Sequence, residues 1–266
     1  MKLEFCSLSS GSCGNATYIA AGSTRILVDA GLSAKAISTA LNSIGVLPET
    51  LSAILVTHEH ADHVRGVGAM SRKYRLPVYA NAGTWEKMYR LVGEVPPAQR
   101  REFVTGEDFY IGDLAALPIS IPHDTVDPVA FRLFSGGRSV AVATDMGNLP
   151  KRVARQLAGT DLMILESNHD IEMLQHNPRY PYRLKQRILG NHGHLSNLAC
   201  AEALMVLYES GVKRALLGHL SDDNNTPELA MHAVSTALEE QGLVIGKDLL
   251  LDMTWRDRVS GYYTIE

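Results

Sequence analysis

The chain has 266 residues, of which 45% are hydrophobic and 20% charged, and its formal net charge is −4. This composition excludes a disordered or collagen-like chain and allows one large domain or two small ones. The slight acidity means that an anionic partner has to be held by a local cationic site, because the overall charge repels it.

The predicted elements begin with apolar runs at 3–8, 16–20 and 25–29, which read as short strands. Between the first two lies the turn-rich stretch from Ser9 to Asn15. Residues 53–57 form a strongly apolar strand that empties into a polar loop, and residues 81–92 follow as a helix candidate. Runs at 114–120, 129–134 and 139–143 predict three more strands, the last two joined by the hairpin signal Ser135-Gly136-Gly137-Arg138. Residues 162–166 and 214–217 predict later buried strands. Ser196 is placed as an N-cap, with Leu198, Ala201, Leu204 and Leu207 on one helical face. Thr226-Pro227 opens another helix, with Leu229, Val234 and Leu238 following. No repeat and no linker is visible, so one α/β domain spanning 1–266 is the expected organisation. No run approaches the about 18 apolar residues of a membrane span. The start of the chain lacks the apolar run of a secretory signal. Cys6, Cys13 and Cys200 cannot all pair within one chain, so reduced thiols in a cytoplasmic protein are expected.

The chemistry concentrates in Thr57-His58-Glu59-His60-Ala61-Asp62-His63. In a loop after a strand, His58 and His60 can converge on one ion while Asp62 and His63 reach another. Imidazole with carboxylate suits zinc, manganese or iron. The spacing is not the helical His-Glu-x-x-His of zinc proteases, because position 62 is aspartate. Four ligands in one loop do not complete two sites. His123, Asp145 and His219 each sit just past a predicted strand, where a sandwich aims side chains at one point.

This order of motifs resembles the metallo-β-lactamase-fold hydrolases. The resemblance implies a four-layer αββα sandwich with two divalent metal ions, zinc or manganese, at its edge. Carried over, His58, His60 and His123 would hold one ion, Asp62, His63 and His219 the other, and Asp145 would bridge both. Asp29, in Val28-Asp29-Ala30-Gly31, would support the histidine loop from behind. Such a pair of ions holds a shared water as hydroxide for attack. The zinc β-lactamases of the best-known type carry cysteine where this chain has Asp145, which argues against β-lactam hydrolysis.

Two further segments, Glu166-Ser167-Asn168-His169-Asp170 and Asn191-His192-Gly193-His194-Leu195-Ser196-Asn197, look like the phosphodiesterase branch that includes tRNA 3′-processing endonucleases. The resemblance implies that His194 sits beside the scissile phosphate, where it would protonate the leaving oxygen or hydrogen-bond a phosphate oxygen, as a catalytic residue with Asp62 and Asp145. It adds Asn168, His169 and His192 as substrate-side candidates. Leu195 stands where the branch has a hydroxyl residue. A narrower resemblance, to the bacterial YycJ (WalJ) family, rests on Leu8 to Asn15, Val28 to Ser33, Thr57 to His60, Tyr79-Ala80-Asn81, Glu166 to Asp170 and Leu220 to Asn225. It implies a cytoplasmic exodeoxyribonuclease working 5′ to 3′ on DNA ends. The basic run of Arg179, Arg183, Lys185 and Arg187, interleaved with Tyr180 and Tyr182, would suit phosphate and unpaired bases, or is simply a solvated helix face. The same ligand set would also serve an enzyme on a small ester, thioester or cyclic phosphodiester.

Overall fold

A computed structural model describes residues 2–266. The first sheet carries β1 (Leu3–Ser9), β2 (Ala16–Ala21), β3 (Thr24–Val28), β4 (Ala53–Leu55), β5 (Val78–Ala80) and β6 (Arg100–Glu102). The second carries β7 (Phe109–Ile111), β8 (Leu114–Ser120), β9 (Val129–Ser135), β10 (Arg138–Ala143), β11 (Leu162–Glu166), β12 (Arg214–Gly218) and β13 (Leu250–Met253). The last strand, β14 (Tyr262–Ile265), crosses back to pair antiparallel with β1, giving the orders β14-β1-β2-β3-β4-β5-β6 and β13-β12-β11-β10-β9-β8-β7.

Helices α1 (Ala34–Ser43), α2 (Ala61–Val64), α3 (Val67–Tyr74) and α4 (Ala82–Val92) fall among the strands of the first sheet. Helices α5 (Lys151–Leu157), α6 (Ile171–His176), α7 (Tyr182–Leu189), α8 (Asn197–Glu209) and α9 (Pro227–Glu240) fall among those of the second. Three apolar cores follow from this layering. Leu3, Phe5 and Ile26 of one sheet meet Phe131, Leu133 and Leu216 of the other in the middle core. Cys6, Leu8 and Leu27 face the opposite way, toward Ile37, Leu41 and Met70 of the first helical layer. Ala141, Leu165 and Leu217 pack on Leu204, Leu207 and Val234 of the second. The result is the expected four-layer αββα sandwich. Both faces of each sheet are covered, which is why the central strands read as continuous apolar runs. Every residue of β2 and β11 is buried.

Local signals hold at the caps. The Ser196 and Thr226 side chains accept from the amides of Ala199 and Leu229, and Asn81 caps α4 through Thr84. Two boundaries differ from the sequence reading. The 53–57 run stops pairing at Leu55, and the polar loop after it is short, because α2 begins at Ala61. The 25–29 run stops at Val28, since Asp29 leaves the strand at φ 63°. Helix α1 was not singled out because only Ile37 and Leu41 of its ten residues are buried, too few to show a period. Strands β6 and β14 carry mostly exposed side chains, with no apolar alternation to announce them. Among the described residues no helix is long and apolar enough to cross a membrane, and all three cysteines are free.

Candidate metal centre

One edge of the sandwich collects the strand ends. Asp29 follows β3, His123 lies just past β8, Asp145 follows β10, Glu166 ends β11 and His219 follows β12. Four described non-glycine residues have left-handed backbone: Asp29 (φ 63°), Arg75 (φ 56°), Asp145 (φ 60°) and His219 (φ 54°). Three of the four are in this cluster. Such conformations persist only where surrounding contacts over-determine them, and they gather at functional sites.

The contacts that do so are specific. Asp29 accepts from the Thr57 amide at 2.9 Å, the Thr57 hydroxyl at 2.8 Å and His63 Nδ1 at 2.8 Å. The bond to Asp29 places the His63 proton on Nδ1 and turns Nε2 forward. There it lies 3.3 Å from Asp145 Oδ2 and 3.4 Å from Asp62 Oδ2. Gly31 makes this possible. A Cβ on it would sit 1.6 Å from the Asp62 carbonyl oxygen, so only glycine lets the α2 turn approach. Asn15 ties down the same turn, with Nδ2 3.2 Å from Asp62 Oδ2 and Oδ1 accepting from the Gly11 amide at 2.9 Å.

Among the described residues four groups of ligand atoms result, the atoms of each within 4.8 Å of one another. Two are separate, His58 with His60 and His123, and Asp62 with His63 and His219, and the other two, His58-His63-Asp145 and Asp145-Glu166-His194-His219, run through Asp145. His123 donates Nδ1 to the Gly193 carbonyl at 3.1 Å, which leaves its Nε2 lone pair 3.3 Å from His60 Nδ1. His219 donates Nδ1 to Glu166 Oε1 at 2.7 Å, and its Nε2 faces Asp62 Oδ2 at 3.4 Å. Asp145 stands between the groups, with Oδ1 3.8 Å from His123 Nε2 and 3.4 Å from His219 Nδ1. His58 Nε2 is buried without a hydrogen-bond partner, and Asp145 Oδ2 has its ion pair with His63 Nε2.

Glu166 is the residue whose role the sequence reading missed. It is fully buried, and Oε1 accepts from both His219 Nδ1 and His194 Nδ1 at 2.7 Å. Oε2 accepts from the amides of Met146 at 3.0 Å and Leu195 at 3.1 Å. A charged residue closing the apolar run Leu162-Met163-Ile164-Leu165 was the available signal.

The electrostatics follow from burial and neighbours. Burial, with His63 alongside, pushes His58 well below the ordinary imidazole range, and burial lowers His60 too. Burial opposes the charge on His63, but the carboxylates of Asp145, Asp62 and Asp29 overcome it and raise the imidazolium well above its usual range. His219 has the same balance, with burial outweighed by Asp145, Asp62 and Glu166, and is raised to about 10. Burial works to raise Glu166, yet His194 and His219 bring it down to about 2. Metal-free, the cluster is therefore charge-compensated by protons, and a bound cation would displace them.

The cluster floors a pocket of about 360 Å³. His60, Asp62, Asp145, His194 and His219 face it, and its walls include Ser12, Tyr180, Leu184 and Arg187. Arg187 pairs with Asp124 across the mouth. The other substrate candidates lie elsewhere. Asn168 is buried and donates to the His219 carbonyl at 2.8 Å, so it buttresses that strand end. His169 is buried with both ring nitrogens unpartnered, and burial drops it to about 4. His192 is exposed and off the lining. Arg179 is exposed and pairs with Asp223, and Arg183 is exposed beyond the pocket. From the basic run the pocket takes Arg187, with Tyr180.

Residues 24–220 match the β-lactamase superfamily domain. The chain is 40% identical to exodeoxyribonuclease YycJ of Bacillus anthracis over 247 residues, covering 93% of each. It is also 40% identical to exodeoxyribonuclease WalJ of Streptococcus pneumoniae over 243 residues, covering 91% of this chain and 90% of that one. Among solved structures, the metallo-β-lactamase fold protein YhfI of Bacillus subtilis superposes with a TM-score of 0.71 at 16% identity, covering 97% of this chain and 99% of that one.

Proposed function

The chain belongs to the β-lactamase superfamily, in the family of the exodeoxyribonucleases YycJ and WalJ, and we propose that it is a metal-dependent phosphodiesterase that shortens DNA from the 5′ end. The carrying observation is His58 Nε2, buried without a partner among imidazoles and carboxylates whose ligand atoms lie within 4.8 Å of one another. A buried polar atom without a partner costs about 1–3 kcal/mol, which a cation on the lone pair recovers. The donor set of imidazoles and carboxylates suits zinc or manganese. We assign His58, His60 and His123 to one ion and Asp62, His63 and His219 to a second, with Asp145 reaching both. When bound, such ions would supply positive charge to the phosphate oxygens and lower the pKa of an attacking water.

The chain's own groups do the rest. Asp29 and Glu166 hold the tautomers of His63 and His219, which keeps Nε2 of each aimed at the centre. His194 uses Nδ1 for Glu166, so its other nitrogen remains for substrate. Burial opposes its charge, but Glu166 and Asp145 raise the imidazolium above the ordinary range, which keeps a proton ready for the leaving oxygen. Arg187, on the pocket wall, gives up Asp124 for a phosphate oxygen. The polarity of trimming rests on the family resemblance.

The test is degradation of 5′-labelled linear DNA by metal-stripped protein resupplied with manganese, magnesium or zinc, beside Asp145→Asn. Metal-dependent release of the label as mononucleotide, absent in the variant, is expected. Intact DNA with rapid turnover of a small ester, thioester or cyclic diester would replace this reading with a small-substrate hydrolase.

A further inference from the structure

A larger groove lies beyond the metal pocket. It holds about 570 Å³ and runs between α1 and the loop before β14, with Lys35 on one wall and Arg256 and Arg258 on the other. Its lining also includes the apolar Leu32, Ala40 and Val259. Asp257 is the one acid on its lining. Arg256 also pairs with Asp222, whereas the Arg258 guanidinium lies 3.8 Å from the centre of the Trp255 ring. Lys35 and Arg258 are exposed, and neither makes an ion pair among the described residues. The arginine of the metal pocket differs, because Arg187 is tied to Asp124.

The groove joins the metal pocket through one loop. The Ser10 amide donates to the Trp255 carbonyl at 2.9 Å, and the Ser9 hydroxyl to the Arg256 carbonyl at 2.9 Å. A Cβ on Gly11 would lie 3.3 Å from that of Arg256. The next residue, Ser12, lines the metal pocket. The ridge between pocket and groove is thus a single turn of backbone.

We propose that the groove of Lys35, Arg256 and Arg258 is a second binding site, taking the sugar-phosphate backbone of the single strand whose end lies in the metal pocket. It rests on the nuclease reading and adds a place for the body of the strand. A chain of net charge −4 gains polyanion affinity only from such local sites. Lys35 and Arg258, exposed and unpaired on a lining that includes Leu32, Ala40 and Val259, suit a sequence-tolerant single-strand site, since phosphates take the cations. A substrate too short to cross the Ser12 ridge does not reach it.

The test is fluorescence anisotropy of a nuclease-resistant phosphorothioate strand on metal-loaded protein. The strand should exceed the about 4–16 nucleotides that single-strand sites cover. Lys35→Gln/Arg258→Gln is compared with wild type and with Lys247→Gln, an exposed cation off the groove. Affinity should fall at least tenfold in the double variant, and the slope of log K on log salt should flatten by about 0.7 per cation removed. Turnover of a dinucleotide should stay unchanged in both variants. Arg258→Glu alone, at an exposed position, should reproduce the loss if the double variant folds poorly. Equal long-strand affinity in wild type and double variant, or an equal loss in Lys247→Gln, overturns the proposal. Groove-dependent binding without degradation of ordinary DNA by wild type keeps the groove and discards the nuclease reading.

Discussion

The floor and the wall of the metal pocket are built on opposite plans. The floor is made of strand ends, and most of its side chains are buried and hydrogen-bonded from behind by Asp29, Thr57, Asn15 or Glu166. Its backbone is held in unfavourable φ at Asp29, Asp145 and His219. The wall on the α6–α7 side carries Tyr180 and Arg187, and helix α7 has no buried residue. Its arginine, Arg187, is paired with Asp124 at the surface. Chemistry needs ligands fixed to a fraction of an ångström, which rigid strand ends supply. Holding a polymer needs charge that can be exchanged, and exposed pairs worth about 0–1 kcal/mol are easily exchanged for phosphate.

The sharpest way to break this contrast is at its centre. Asp145→Asn should abolish metal-dependent hydrolysis and lower the metal bound per chain, with an unchanged circular dichroism spectrum. Full activity in this variant would remove the floor from the chemistry. Next come the supports. Asp29→Asn and Glu166→Gln should each reduce metal affinity or activity about 10–100-fold, as loss of a group behind a ligand does. Rescue by excess metal would separate a positioning role from misfolding.

The third prediction concerns pH in the metal-free chain. Glu166 is depressed to about 2 in the fold. Its stabilisation is present above its unfolded value near ~4.3 and is lost as pH falls through that window. His219 is raised to about 10. Its stabilisation is complete below the unfolded value near ~6.5 and is lost as pH rises toward the folded one. His58, His60 and His169, held neutral by burial, lose their stabilisation as pH falls below ~6.5. Metal-free protein should therefore have its highest Tm close to that value and melt lower on either side, measured by thermal melts in metal-free buffers. Loading with zinc or manganese should raise Tm most on the alkaline side, where the cation replaces the missing protons. A flat metal-free profile would mean that the floor is not charge-compensated.

The wall should respond less. Arg187→Gln should raise KM for DNA more than it lowers kcat, because the contact is made in ground and transition state alike. The smallest effect is expected at Arg179. Its exposed pair with Asp223 lies off the pocket, so Arg179→Gln should change activity less than about fivefold. A larger fall there than at Arg187 would invert the assignment of the wall.

The candidate ligands were legible because chemistry constrains them twice, by residue type and by place. His58, His60, Asp62 and His63 crowd one loop, and His123, Asp145 and His219 each follow an apolar strand, so an end of periodicity coincides with a ligand. The substrate side was far less legible. Arg179, Arg183 and Arg187 look alike in the chain, yet only Arg187 lines the pocket. His192 and His194 are two residues apart, and only His194 reaches Glu166. Helical rotation and loop direction decide such choices, and a short charged stretch carries no record of either.

By itself the sequence determined an α/β organisation, through apolar strand runs alternating with helical patterns, and its order of motifs carried the resemblance that implies the sandwich. It also determined the ligand types, through histidines and aspartates at strand ends. Only the tertiary structure decided that Glu166 serves two histidines at once, that Gly31 admits the Asp62 turn, and that a groove of Lys35, Arg256 and Arg258 adjoins the centre. The physical reason is distance along the chain. Strand and cap signals are local and are written in neighbouring residues. A carboxylate shared between His194 and His219, or a groove between residues 35 and 258, exists only after segments far apart in sequence have been packed side by side.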